Sequence, residues 1–117
     1  MKSQVVLLLF LIFFTSSVKA GNWSQTAEPT RIDIERGNGV MIYGAFGNAG
    51  ECSTSNKVFI EKSHPQYDKV YAMVLAAFAS NKKLRIYIHS CKPVTWYAVK
   101  ETTFNTLTSA GAINILK

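Results

Sequence analysis

The chain is poor in the residues that do chemistry. Its 117 residues hold two histidines, two cysteines and seven acidic side chains. His64 and His89 stand apart, one beside an expected helix start and one at a strand end, and neither belongs to a spacing such as H-E-x-x-H. A metal centre needs three or four convergent ligands, and the cysteines are better used in a disulfide, so neither a metal nor a cofactor is expected. No G-x-S-x-G elbow occurs, and the seven glycines form no phosphate loop ahead of a helix. Asp33 and Glu35 share a strand face, but flanked by Arg31 and Arg36 they read as cross-strand salt-bridge partners rather than as a catalytic pair. No catalytic residue is assigned, and the chain is expected not to be an enzyme. Charge is sparse too, at 17% of residues, and no run of one sign exceeds Lys82-Lys83, which excludes a polybasic tail. The apolar run at 5–14 is ten residues long, short of the roughly 20 needed to span a bilayer.

That run has another meaning. Lys2 precedes it, and Val18-Lys19-Ala20 follows with small residues where a signal peptidase reads, so residues 1–20 are expected to be a signal peptide. The expected product is secreted, to a periplasm or outside the cell, with no membrane span after cleavage. Residues 21–117 are enough for one domain with a thin core. Cys52 and Cys91, in an oxidising compartment, can pair in only one way. Without Lys2 and Lys19, eleven basic residues face seven acids, a net charge of +4. That balance favours acidic surfaces such as sialylated glycans, anionic lipid or nucleic acid.

Along the chain, 30–35 alternates with Ile32 and Ile34 on one side, and Arg36-Gly37-Asn38-Gly39 reads as a turn. Residues 40–46 form the paired strand, with Met41, Tyr43 and Ala45 on one face. Residues 47–56 are a long Gly-, Asn- and Ser-rich loop, and 57–62 is a third strand with Val58 and Ile60 inward. A helix is expected over 65–80, capped by Ser63, with Tyr67, Val70, Tyr71, Val74, Ala77 and Phe78 facing the core. Its other side, Lys69, Ala72, Met73, Ala76 and Ala79, is small and apolar beyond the first turn, which suits contact with neighbouring copies. Residues 84–89 alternate as a fourth strand, Lys92-Pro93 turns the chain, 94–99 reads as a fifth strand, and 112–116 closes the chain. Residues 101–105 fit a helical turn or a strand. The order βββ-α-ββ describes a mainly β domain with one helix and one disulfide, a small barrel of the OB type. Trp23, Phe59, Tyr87, Trp96 and Tyr97 are the rings expected to be partly exposed; beside polar loops they suit carbohydrate.

The segment LRIYIH at 84–89, followed by Ser90-Cys91, Trp96 and TLTSAGAINIL at 106–116, resembles the B subunits of the subtilase-cytotoxin and typhoid-toxin group. The resemblance covers roughly the C-terminal half. It implies a glycan-binding subunit, five copies in a ring, the helices gathered around a central pore, and a separate catalytic A subunit docked there. It makes Lys69, Ala72, Met73, Ala76 and Ala79 the interface. The glycan would meet the stretch before the first strand, with Ser24 and Thr26, and the loop region, with Asn48, Glu51 and Lys57, joined by the ring of Tyr87. That stretch reads Ser-Gln-Thr-Ala-Glu-Pro, without the Tyr-Ser pair of the toxin subunits. The alternative is a free-standing monomeric secreted protein that binds or inhibits another protein. Export argues against nucleic acid.

Overall fold

The computed structural model describes residues 21–117, so the expected signal peptide lies outside the described residues. The strands are β1 (Asn22–Trp23), β2 (Arg31–Glu35), β3 (Gly39–Tyr43), β4 (Lys57–Glu61), β5 (Lys83–Ile88), β6 (Ser90–Pro93), β7 (Thr103–Leu107) and β8 (Ala112–Leu116). One helix, α1 (Tyr67–Ser80), sits between β4 and β5. The coarse class holds: mainly β, one helix, one disulfide. The finer order does not, because four strands stand on each side of the helix. The ladders form two sheets, β1-β5-β8 and β2-β3-β4-β7-β6, rather than one closed barrel.

β2 and β3 pair with Ile32 opposite Ile42, and β3 pairs with β4 through Ile42 and Val58. The turn between β2 and β3 lies where expected, but its left-handed residues are Arg36 and Gly37 rather than Asn38. β4 pairs in parallel with β7, Phe59 opposite Thr106. A parallel neighbour needs a long crossover, and α1 with β5 and β6 supplies it.

Alternation along β5 sends Leu84, Ile86 and Ile88 into the core. There they meet Ile42, Phe46, Val58, Ile60, Leu107 and the helix residues Val70, Val74 and Ala77. The helix ends at Ser80 as expected, and departs from expectation at its start and in its buried stripe. It starts at Tyr67, and Gln66, not Ser63, occupies the N-cap without a side-chain bond. Its C-terminus closes on Asn81 in the left-handed conformation, which asparagine tolerates. Its buried stripe is rotated: Met73, expected outside, packs on the core, whereas Phe78, expected inside, is 44% exposed. Ile113 of β8 belongs to the cluster that Met73 joins, so the helix buries the Met73 side.

Further along, 94–99 is not a strand. β6 instead follows β5 after the single residue His89, and Lys92-Pro93, expected to turn, ends it. Pro93 is tolerated because β6 is an edge strand. The undecided 101–105 segment leads into β7. Cys52 and Cys91 are bonded, with Cα atoms 5.5 Å apart. Among the described residues no helix is long and apolar enough to cross a membrane.

Candidate functional site

The five-stranded sheet carries a second apolar cluster on the face turned away from the main core. Alternation that sends Val40, Ile42, Val58 and Ile60 one way sends Met41, Tyr43 and Phe59 the other. Phe104 of β7 joins them, and the segment after Pro93 folds back so that Val94 and Trp96 pack on the same cluster. The aromatic richness of 94–99 thus serves to cover a sheet. Trp96 and Phe59 have ring centroids 5.3 Å apart, and Tyr97 meets Phe104 edge-on at 5.2 Å.

Between this segment and the β2–β3 turn lies an open groove of about 510 Å³, lined among others by Asn38, Phe59, Lys62, Thr95 and Trp96. Phe59, expected exposed, is 4% exposed and forms the floor. Trp96 is half-buried and forms a wall. Glu61 also lines the groove and is held by Lys92 at 3.0 Å. Asn38 is fixed by its backbone: its N–H donates to Glu35 O at 2.7 Å and its carbonyl accepts from Lys62 N–H at 3.0 Å. A ring wall beside amide, hydroxyl, ammonium and carboxylate groups can stack an apolar sugar face while bonding hydroxyls.

Beyond the groove the same face carries Tyr43, with the Arg31 guanidinium 4.5 Å and the Lys57 ammonium 5.5 Å from its ring centroid. Arg31 forks onto Asp33 through bonds of 2.9 and 2.7 Å, and Arg36 pairs with Glu35 at 2.8 Å. The two carboxylates are therefore ion-paired, but to chain neighbours rather than across strands. Burial, then the charge of Asp33, raises the Tyr43 phenol above its ordinary 10.0, with Arg31 opposing. A raised phenol favours the protonated fold, so its stabilising contribution is intact below pH 10 and fades as pH rises through the folded pKa. Burial raises the Tyr67 phenol as well, so an ultraviolet titration is expected to show two phenols ionising above the ordinary range in the wild type and one fewer in Tyr43→Phe.

The sequence-derived site residues come from two segments that do meet, since Gln25 N–H donates to Phe46 O at 2.9 Å, and from Tyr87 on the other sheet. Ser24 is buried, its Oγ accepting from Ile86 N–H at 2.9 Å and donating to Gln25 O, so it fastens the N-terminal segment to β5. Thr26 is exposed beside it. Asn48 spends its amide on the loop and on β7: Oδ1 accepts from Cys52 N–H and Asn105 Nδ2, and Nδ2 donates to Cys52 O. Glu51 is exposed with φ 53°. Lys57 lies on the five-stranded sheet, whereas Tyr87 lies on β5 of the other sheet, edge-on to Trp23 at 5.3 Å. Of the interface residues, Lys69, Ala72, Ala76 and Ala79 are exposed and Met73 is not. Asn38, Lys62 and Thr95 of the groove are not among the sequence-derived residues; the Asn-Gly turn and the tryptophan shortly after Pro93 are the signals in the sequence that lie beside them. Among the described residues, no three His, Cys, Asp or Glu side chains converge to hold a metal ion.

Residues 3–99 match a family of unknown function, DUF5992, and the chain belongs to that family. No curated protein and no solved structure matches it.

Proposed function

We propose that the chain is an exported, non-catalytic binding domain that recognises carbohydrate in the groove between the β2–β3 turn and residues 93–96. The observation that carries this reading is Trp96, half-buried against Phe59, with Asn38, Thr95 and Lys62 around it. The strand arrangement supports an OB-type interpretation of the fold. β4 runs parallel to β7 with the helix following β4. β5 and β6 read as one bent strand, and the N-terminal segment reaches β5 through Asn22, Trp23 and Ala27. In that fold the loop after the first strand and the loop before the last flank the surface used for oligosaccharides and oligonucleotides. The groove occupies the corresponding place.

The test is a glycan screen followed by calorimetry on the best hit, with the wild type and Trp96→Ala. Loss of the stacking ring is expected to weaken binding by about tenfold or more. Unchanged affinity in a folded variant would remove the groove from consideration. Affinity for a neutral glycan is expected to change little with salt; a steep fall would indicate nucleic acid instead.

Ring assembly is a second reading, favoured by one observation. Leu75 and Phe78 are 42% and 44% exposed on α1, alongside exposed Ala72, Ala76 and Ala79. This face suits further copies of the chain, and through them a separate partner such as a catalytic subunit. Met73→Glu cannot test it, because Met73 packs on the core. Phe78→Glu can: light scattering is expected to give a multiple of the monomer mass for the wild type and the monomer mass for the variant. A monomeric wild type would leave the free-standing binder.

A further inference from the structure

We infer that the three-stranded sheet carries a second binding site, centred on Arg85, for the carboxylate of an acidic saccharide. The chain has three arginines. Arg31 and Arg36 are each closed by a neighbouring carboxylate. Among the described residues Arg85 has no acidic partner, although it is half-buried and its orientation is fixed.

The fixing comes from the sheet. β5 is the central strand of β1-β5-β8, so its backbone is held on both sides. Alternation that buries Leu84, Ile86 and Ile88 puts Arg85 and Tyr87 on the other face. Trp23 pairs directly with Tyr87 across β1–β5 and meets it edge-on. The Arg85 Cζ lies 4.2 Å from the Trp23 ring centroid. Asn114 is the register partner of Arg85 on β8. With its amide oriented to satisfy both groups, its Oδ1 accepts from Arg85 Nη2 at 3.0 Å and its Nδ2 donates to Ile113 O at 3.2 Å. The guanidinium plane is thus set by a ring on one side and an amide at one corner.

Its hydrogen-bonding capacity is largely unspent. A guanidinium has five N–H donors in a rigid fork and accepts nothing. Nε is buried without an acceptor and lies out of an outside ligand's reach, so the two Nη groups are the donors a ligand meets. A carboxylate is the acceptor whose planar geometry matches the fork, and charge-assisted bonds of this kind are the strong ones. The surroundings narrow the carrier. Trp23 remains 36% exposed and Tyr87 half-buried, so an apolar ring edge borders the cation. A sugar acid offers both parts, the carboxylate for Arg85 and the C–H edge of the pyranose for Trp23. Because the fork is oriented before the ligand arrives, little ordering entropy opposes binding.

The test compares a galacturonic acid tetrasaccharide with its full methyl ester, which keeps the rings and removes the charge. Calorimetry on residues 21–117 is expected to show the acid bound about tenfold or more tighter than the ester, the usual scale for a charge-assisted pair. Arg85→Gln should bring the two affinities together, and Arg85→Lys should recover part of the difference, as it keeps the charge but not the fork. Trp96→Ala should leave the ratio unchanged, so this site and the groove fail separately. Equal binding of acid and ester to the wild type would overturn the proposal whatever the variants' folding. So would a preference that survives Arg85→Gln, no binding of the acid, or equal displacement of it by inorganic sulfate at matched ionic strength.

Discussion

Replacing both Cys52 and Cys91 with serine is expected to destabilise the fold by about 4 kcal/mol. The bond joins residues 39 apart in sequence. Cross-linking a loop of that length removes conformations mainly from the unfolded chain, and the cost of restoring them sets the magnitude. The native contacts around the bond do not depend on it. Asn105, 2% exposed, accepts from Gly50 N–H at 2.7 Å and donates to Asn48 Oδ1 at 3.0 Å. Thr54 Oγ1 donates to Thr103 O at 2.8 Å, so the loop is also stitched to β7 by hydrogen bonds. The serine variant should therefore keep its native circular dichroism while its melting temperature drops by roughly 15–30 °C, at 4–8 °C per kcal/mol for a domain of this size. A loss below about 1 kcal/mol would mean that the reduced unfolded chain is already compact, contrary to the entropic account.

Gly39→Ala is expected to cost a comparable amount, about 4 kcal/mol, combining backbone strain and overpacking. Gly39 opens β3 with φ +151°, a conformation L side chains rarely adopt. A Cβ there would lie 2.1 Å from the Ile60 carbonyl oxygen and 2.8 Å from the Phe59 ring. Relief is blocked on both sides, because Gly39 pairs with Glu35 of β2 and Glu61 of β4. The neighbouring turn supplies the control. Gly37 has φ +74° but nothing within 4 Å of an added Cβ, so Gly37→Ala should cost only about 1 kcal/mol, the preference of that conformation for glycine. Urea unfolding of the two variants reads the difference. Equal losses would mean that β3 can move away from β4, and that the groove floor at Phe59 is softer than the packing implies.

Parts of this molecule are written in local patterns. β5 alternates because one face meets the core and the other does not, and a period of two needs no tertiary knowledge to read; β3 and β4 carry apolar residues on both faces because each face meets a cluster. The centre of α1, at Val70, Val74 and Ala77, follows the helical period for the same reason. The disulfide followed from two cysteines and one pairing.

Other parts are decided by neighbours far along the chain. β7 hides from pattern reading because Asn105 and Thr106 are buried polar residues, satisfied by Gly50, Asn48 and Phe104. Nothing local says that an asparagine will be buried when its partners lie over fifty residues away. Residues 94–99 have strand-like composition, yet their rings cover a face whose alternation was set by β3, β4 and β7. Which side of α1 is buried depended on where β8 lies, and this exchanged the places of Met73 and Phe78.

The candidate sites divide in the same way. The sequence determined the supply: few catalytic groups, many rings, a basic surplus and one loop-closing bond, because these are matters of composition and pairing. Only the tertiary structure decided their use, since distance and burial are not functions of sequence separation. It buried Ser24 and spent the Asn48 amide on the loop and on β7. It set Trp96 on Phe59 beside the turn at Asn38, and it laid Arg85 on Trp23, far apart in the chain, with no carboxylate among the described residues to close it.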